Sequence, residues 1–385
     1  MVSVRDANVS GKRIFVRVDY NVPIKDGKIL DNNRIVESLS TLQYLLERRT
    51  KIIIATHLGK PAGEIIPELS TIPLASELAK LLKRKVYATD HIIHPLVAKK
   101  ISEMTFGDIF MLGNLRWHRE EEANNERFGE ELASYADIYV NDAFGVSHRA
   151  HASVDAITNY LPSYAGFLIE SEKTTLDILI QNPQKPYKIV LGGAKVKDKA
   201  ALINNLAGQA DKILIGGAIA NTFLAASGQD VSDSLYEREM FETCEDILSR
   251  YQDKIVLPVD QARENSDGGR FKIMDIGPET IAKFEAEIAT AATTFWNGNL
   301  GHSEDERYET GTRRIAEAIS KNKGTTIVAG GDTVGFIDAN NLRGDINFIS
   351  TGGGATLSYL AGEKMPGLIA LDNNKFVSNI KTSVI

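Results

Sequence analysis

Apolar residues in this chain come in short blocks separated by longer amphipathic stretches. Residues 14–18 (IFVRV), 51–56 (KIIIAT), 85–88, 109–112 and 137–140 (DIYV) are such blocks. They are too short for helices and mostly lack polar alternation, which predicts strands covered on both faces. Between them, 34–49 and 73–84 carry apolar positions at helical spacing. The same grammar returns at 188–191, 212–215, 254–257, 293–296, 325–329 and 346–349. Strands alternating with helices predict parallel sheets with right-handed crossovers. A chain of 385 residues exceeds the usual limit of one core, so two domains are expected. Residues 161–166 (LPSYAG) read as a boundary before a helix over 167–180, which is closed by Asn182-Pro183. Prolines at both ends of such a helix suit an interdomain connector.

Polar and glycine residues crowd the positions just after the strands, where open α/β sheets place ligands. In the first half these are Asp19 and Asn21, His57 and Lys60, Arg116, and Arg149, while Arg34 stands in the first turn of its helix. Each alone suits a turn former or a solvated cation equally well. Together, Arg34, His57, Lys60, Arg116 and Arg149 predict a cationic rim fit for a phosphorylated anion. In the second half the strand ends are Gly192-Gly193, Gly216-Gly217, Asn297-Gly298, Gly330-Gly331-Asp332-Thr333 and Gly352-Gly353-Gly354. The stretch KIVLGGAKVKDK (188–199) runs from strand through a double glycine to Lys195 and Lys199. Backbone amides and lysines there suit a nucleotide's phosphates, though an ordinary turn with two solvated lysines has the same grammar. Asp332 is the magnesium candidate, since Mg²⁺ takes one or two carboxylates plus phosphate oxygens; capping of the following helix is the alternative.

Composition narrows the classes. The net charge of −7 argues against wholesale nucleic-acid or membrane-surface binding. No apolar run reaches membrane-spanning length, and the N-terminus shows no targeting pattern, so a cytoplasmic protein is expected. The single cysteine, Cys244, lies in an amphipathic helical pattern and is expected to be packed. His148 and His151 have no further ligand at zinc spacing. The charged tract 117–131 reads as a solvated face whose acids carry no chemistry. Neither a Walker-type loop nor a Gly-x-Gly-x-x-Gly turn after a strand occurs, which argues against a P-loop NTPase and a Rossmann dehydrogenase.

With RVDYNVP (17–23), HLGKP (57–61), NLRW (114–117), NDAFG (141–145), HRAHAS (148–153), GGAKVKDK (192–199), NGNLG (297–301), GGDT (330–333) and STGGGA (350–355) in one order, the chain resembles the phosphoglycerate kinases over essentially its whole length. The resemblance implies two Rossmann-like three-layer α/β/α domains with mainly parallel sheets, joined by an interdomain helix. It implies a 3-phosphoglycerate domain at 1–165 plus a tail at about 373–385, a hinge at 166–182, and a Mg-nucleotide domain at 183–372. Carried over, the substrate site falls on Asp19, Tyr20, Asn21, Arg34, His57, Leu58, Gly59, Lys60, Arg116 and Arg149. The nucleotide site falls on Lys195, Lys199, Gly217, Asn297, Glu304, Gly330, Gly331, Asp332 and Thr333, with Asp332 holding Mg²⁺. Arg34, Lys195, Gly352 and Gly353 are the expected catalytic set.

The implied reaction is reversible phosphoryl transfer from 1,3-bisphosphoglycerate to ADP in glycolysis, by a monomer whose domains close about the hinge. No nucleic-acid or membrane partner is expected. Two departures from the family's pattern stand out. Lys60 replaces the usual arginine, and NGNLGHSE (297–304) has Asn299 for proline and Ser303 for the aromatic before Glu304. A catalytically silent nucleotide- and phosphate-binding protein is the alternative.

Overall fold

Strands β1 (Arg13–Val18), β2 (Lys51–Ala55), β3 (Val86–Ala88), β4 (Ile109–Met111), β5 (Ile138–Asp142) and β6 (Ser163–Ala165) form one six-stranded sheet in the order β3-β4-β2-β1-β5-β6. All its pairings are parallel. A second sheet holds β7 (Tyr187–Leu191), β8 (Lys212–Ile215), β9 (Ile255–Val256), β10 (Thr293–Asn297), β11 (Thr325–Ala329) and β12 (Phe348–Ile349). Its order is β9-β8-β7-β10-β11-β12, again all parallel. In order of appearance this is 3-2-1-4-5-6, the Rossmann arrangement, with its topological switch point between β7 and β10. The computed structural model describes residues 1–377; the part of the expected tail beyond 377 lies outside them.

The chain divides into two compact units, Met1–Lys173 together with the segment from Lys364, and Thr174–Glu363. Each has its own core. In the first, Ile14, Val16, Ile52, Ile54 and Val140 pack with Leu42, Leu45, Leu74 and Leu78 from the helices. In the second, Val190, Leu214, Trp296 and Val328 pack with Phe284, Ile315 and Ile319. The central strands are buried along nearly their full length, which is why they read as unbroken apolar blocks. The helix Phe167–Gln181 carries the chain from the first unit into the second. Among the described residues no helix is long and apolar enough to cross a membrane.

Four features differ from the sequence expectation. The helix over 34–49 is two helices, Asn33–Glu37 and Leu39–Glu47, broken at Ser38. The Ser38 hydroxyl bonds back to the Ile35 carbonyl at 2.8 Å and meets the Tyr20 hydroxyl at 2.6 Å, a local bond that competes with the helix. The expected boundary at 161–166 contains strand β6, buried and paired to β5. An antiparallel hairpin, Gln261–Asn265 with Phe271–Ile276, stands apart from the main sheet where no strands were expected. Finally, Glu121 in the supposedly solvated tract is fully buried. It accepts from the Ser153 amide at 2.9 Å and hydroxyl at 2.6 Å, and lies 3.9 Å from Arg17.

Candidate functional site

In the first unit the site is built where β1, β2 and β4 end. Thr56 Oγ1 accepts from the Tyr20 amide at 3.0 Å, tying the end of β2 to the end of β1. The turn after β2 is held from two sides. Gly59 donates its amide to Asn21 Oδ1 at 2.9 Å, and its carbonyl accepts from Arg116 at 2.8 Å. Gly59 takes φ +66°, which suits a residue without Cβ. Asn114 completes the frame by bonding both the amide and the carbonyl of Leu58, at 3.1 and 2.7 Å.

On this frame Arg34 reaches Asp19 at 2.5 Å and stays partly exposed. Arg116 is nearly buried, with its Nε 3.3 Å from Glu122. Arg149 is exposed beside Arg116 and His151, and its Nε donates to His148 at 3.1 Å. His57 is buried at the centre. Burial, then Arg17, Arg116 and Arg34, hold its pKa well below the ordinary histidine value, so the ring is neutral and does not add a charge to the rim. The structure thus gathers Asp19, Asn21, Arg34, His57, Gly59, Arg116 and Arg149. Lys60 is exposed beside them. Tyr20 and Leu58 are buried, and Tyr20 turns its hydroxyl away to Ser38.

Sequence reasoning missed Arg17, which is fully buried although it lies in a strand. Its Nε donates to Ser153 Oγ at 2.8 Å, its Nη1 to the Val18 carbonyl, and its Nη2 lies 3.3 Å from His57 Nδ1. The signal was available: a cation inside an apolar block must find buried partners.

In the second unit the switch point between β7 and β10 is drawn tight by backbone bonds. The Gly192 amide donates to Asn297 O at 2.9 Å and the Gly193 amide to Asn299 O at 2.8 Å. A Cβ on Gly192 would lie 2.2 Å from Asn299 O, so only glycine fits there. Beside this knot lies a cavity of about 620 Å³. Of the expected nucleotide residues, Gly217, Glu304 and Asp332 line it. The hairpin's Lys272 and Met274, with Leu235 and Tyr236, supply wall that sequence reasoning did not assign.

Lys195 is exposed on the turn after β7. Lys199 is buried, with Nζ bonded to Asn297 Oδ1, and Asn297 Nδ2 donates to the Ala329 carbonyl at 2.8 Å. Burial pulls the Lys199 pKa down to about 8, against the pull of Asp198 and Asp332. Asp332 is exposed in the first turn of the helix Gly331–Ala339, whose N-cap is Gly330 at φ +102°. Thr333 faces inward and accepts from the Gly298 amide at 2.8 Å, fixing that loop. Glu304 is largely exposed, 3.3 Å from His302, and the substituted loop before it is closed by Asn299 Nδ2 donating to Ser303 Oγ at 2.6 Å. Gly352 bonds Ser350 Oγ at 3.1 Å, and Gly353 caps the helix Gly354–Leu360 at φ +53°.

No group of three or more His, Cys, Asp or Glu that could hold a metal occurs among the described residues. Asp332 is an exposed carboxylate on the cavity wall, and Mg²⁺ accepts one or two carboxylates when phosphate oxygens and water complete its shell. Asp332 fits that requirement.

Three comparisons bear on this arrangement. The family model described as phosphoglycerate kinase matches residues 4–363. The phosphoglycerate kinase of Thermosipho africanus is 42% identical, covering 98% of this chain and 99% of that protein. That of Finegoldia magna is 40% identical, covering 96% and 98%. Among solved structures, phosphoglycerate kinase from Coxiella burnetii superposes with a TM-score of 0.86 at 35% identity, over 96% of this chain and 98% of that one. The Pyrococcus horikoshii enzyme gives 0.86 at 32% identity, over 97% and 98%.

Proposed function

Because the chain belongs to the phosphoglycerate kinase family, glycolytic phosphotransferases with a carboxyl group as acceptor, we propose that it moves a phosphoryl group between 1,3-bisphosphoglycerate and Mg-ADP through the two sites described. The observation that carries this reading is the convergence of Arg34, His57 and Arg116 on the ends of β1, β2 and β4. Arg34, Arg116 and Arg149 hold the phosphate and carboxylate of 3-phosphoglycerate, with Asn21, His57 and Lys60 beside them. Asp19 orients Arg34. The cavity takes the nucleoside, the Gly193 and Gly217 turns and Lys199 approach its phosphates, and Glu304 meets the ribose. Asp332 would hold Mg²⁺, which would supply positive charge to the nucleotide's phosphates. Lys195 and Arg34 neutralise the charge spread over the group in transit, and the helix start at Gly352 and Gly353 adds its amides to that task. The acceptor is already a carboxylate, so no general base is needed.

Two ligands bound to two units must meet within about 3–3.5 Å for transfer. We assign that motion to the helix Phe167–Gln181 and its ends. X-ray scattering should show compaction with both substrates and not with either one; equal compaction with one ligand would refute this assignment. We place the enzyme in the cytoplasm and expect it to act as a monomer.

The test of function is a coupled assay with 3-phosphoglycerate and Mg-ATP. Wild type should turn over. Arg34→Ala should raise KM for 3-phosphoglycerate and lower kcat, and Lys195→Ala should lower kcat by about 100-fold or more with nucleotide affinity little changed. Binding of both ligands without turnover would favour the silent binder instead.

A further inference from the structure

Arg17 has no part in the contacts assigned to substrate, yet it is fully buried near the C-terminal end of a central strand. A guanidinium taken out of water must be used. Its donors are spent on Ser153 Oγ at 2.8 Å, on the Val18 carbonyl, and toward His57 Nδ1 at 3.3 Å. Glu121 supplies the countercharge at 3.9 Å and is itself held by the Ser153 amide and hydroxyl. Arg17 therefore has no second place to go.

A guanidinium only donates, so the nitrogen facing it must accept. That nitrogen is His57 Nδ1, which puts the ring's proton on Nε2. A competing acceptor for an Nδ1 proton is Asp19 Oδ1, but it stands 3.9 Å away, beyond hydrogen-bond range, and its carboxylate is engaged by Arg34. The charged and titratable groups facing His57 are Arg17 on β1, Arg34 on the helix Asn33–Glu37, Arg116 after β4, and His151, opposed by Asp19. That surplus of cations keeps a second proton off the ring.

We propose that Arg17, braced by Ser153 and Glu121, is a positioning residue that locks His57 as the neutral Nε2–H tautomer, so that the ring offers the acidic substrate a donor of fixed direction rather than a charge. The inference rests on the phosphoglycerate reading of this rim, but its first test needs no substrate. Two-bond ¹H–¹⁵N spectra of the full chain with labelled histidine should show His57 neutral and protonated at Nε2 across mildly acidic to neutral pH. An Nδ1–H tautomer, or an imidazolium in that range, would overturn the proposal.

Arg17→Lys keeps the charge and loses the fork. It should give mixed tautomers and raise KM for 3-phosphoglycerate about ten-fold, with kcat within about two-fold. Should that variant fail to fold, Ser153→Ala removes one brace and should move tautomer and KM the same way, by about three-fold in KM. A folded variant with wild-type tautomer and KM would sink the idea. If wild type shows the expected tautomer but no affinity for 3-phosphoglycerate, the substrate half of the proposal falls together with the functional reading, whereas the tautomer result stands apart from it.

Discussion

Lys199 keeps its Nζ on Asn297 Oδ1 in surroundings that strip its hydration, and burial brings its pKa down to about 8. A bound polyphosphate favours the ammonium form and must raise that value. Nucleotide binding between about pH 8 and 9 should therefore take up protons. Calorimetry in two buffers of different ionisation enthalpy measures the uptake, and Lys199→Met should abolish it; uptake unchanged in the variant would place the proton elsewhere. Residues of this kind, polar groups on the turns after strands, were legible in the sequence because the fold class says where strand ends gather. Arg17 and Glu121 were not. Arg17 lay hidden in an apolar block, and Glu121 in a tract with acids on either side. What distinguishes Glu121 is its pairing with Ser153, 32 positions away, a contact that no local pattern announces.

The helix Phe167–Gln181 begins on a carboxyl group. Asp142, at the end of β5, accepts from the Leu168 amide at 2.9 Å, while its Oδ2 is buried with no hydrogen-bond partner. A Cβ on Gly166 would lie 2.2 Å from Asp142 Oδ1, so glycine is required there to let the carboxyl reach the helix. Burial outweighs the bonds from Thr41 and Leu168 and raises the Asp142 pKa to about 7, from 3.8. The folded state therefore holds more protons than the unfolded chain through that window, and this group's contribution to stability falls as pH rises from about 4 to about 7. Asp142→Asn keeps the acceptor and removes the charge. It should stabilise the first unit at pH 8 by at least about 1 kcal/mol and hardly at all near pH 4. Denaturant unfolding followed by Trp117 fluorescence in a Trp296→Phe background checks this; an equal effect at both pH values would contradict it. At this scale the buried central strands and the connecting helix were readable. The hairpin 261–276 was not, since most of its positions are half-exposed and give no apolar block. Nor was β6, whose three residues stand between a proline and a glycine yet are held by β5 and by Ala165 donating to the Val2 carbonyl at 2.9 Å.

At the scale of the molecule, one unit is continuous in sequence and the other is not. The segment from Lys364 returns to the first unit. There the Gly367 amide donates to Ser147 O at 2.9 Å, Asn374 Nδ2 bonds the carbonyls of Thr158 and Leu161 at 2.7 and 3.0 Å, and Leu368, Leu371 and Val377 are buried. Expressed alone, residues 174–363 should fold cooperatively, with Trp296 buried as in the whole chain. Residues 1–173 alone should be clearly less stable than the same unit in the intact chain, by Trp117 fluorescence and denaturant midpoint. An unchanged midpoint would show that the returning segment contributes nothing.

That returning segment also sets a timetable. A ribosome delivers the chain from its first residue onward, so all six strands of the first sheet emerge before any of the second. The first unit still lacks its closing piece until the segment from Lys364 is made, about 190 residues after its main body ends at Lys173. At cellular elongation rates this is roughly 10–40 s. Through that interval the seat for Leu368 and Leu371 stays open to solvent, while the continuous unit can finish folding. Each nascent molecule therefore passes through a stage in which the part begun second is completed first, and the part begun first is the one left needing protection.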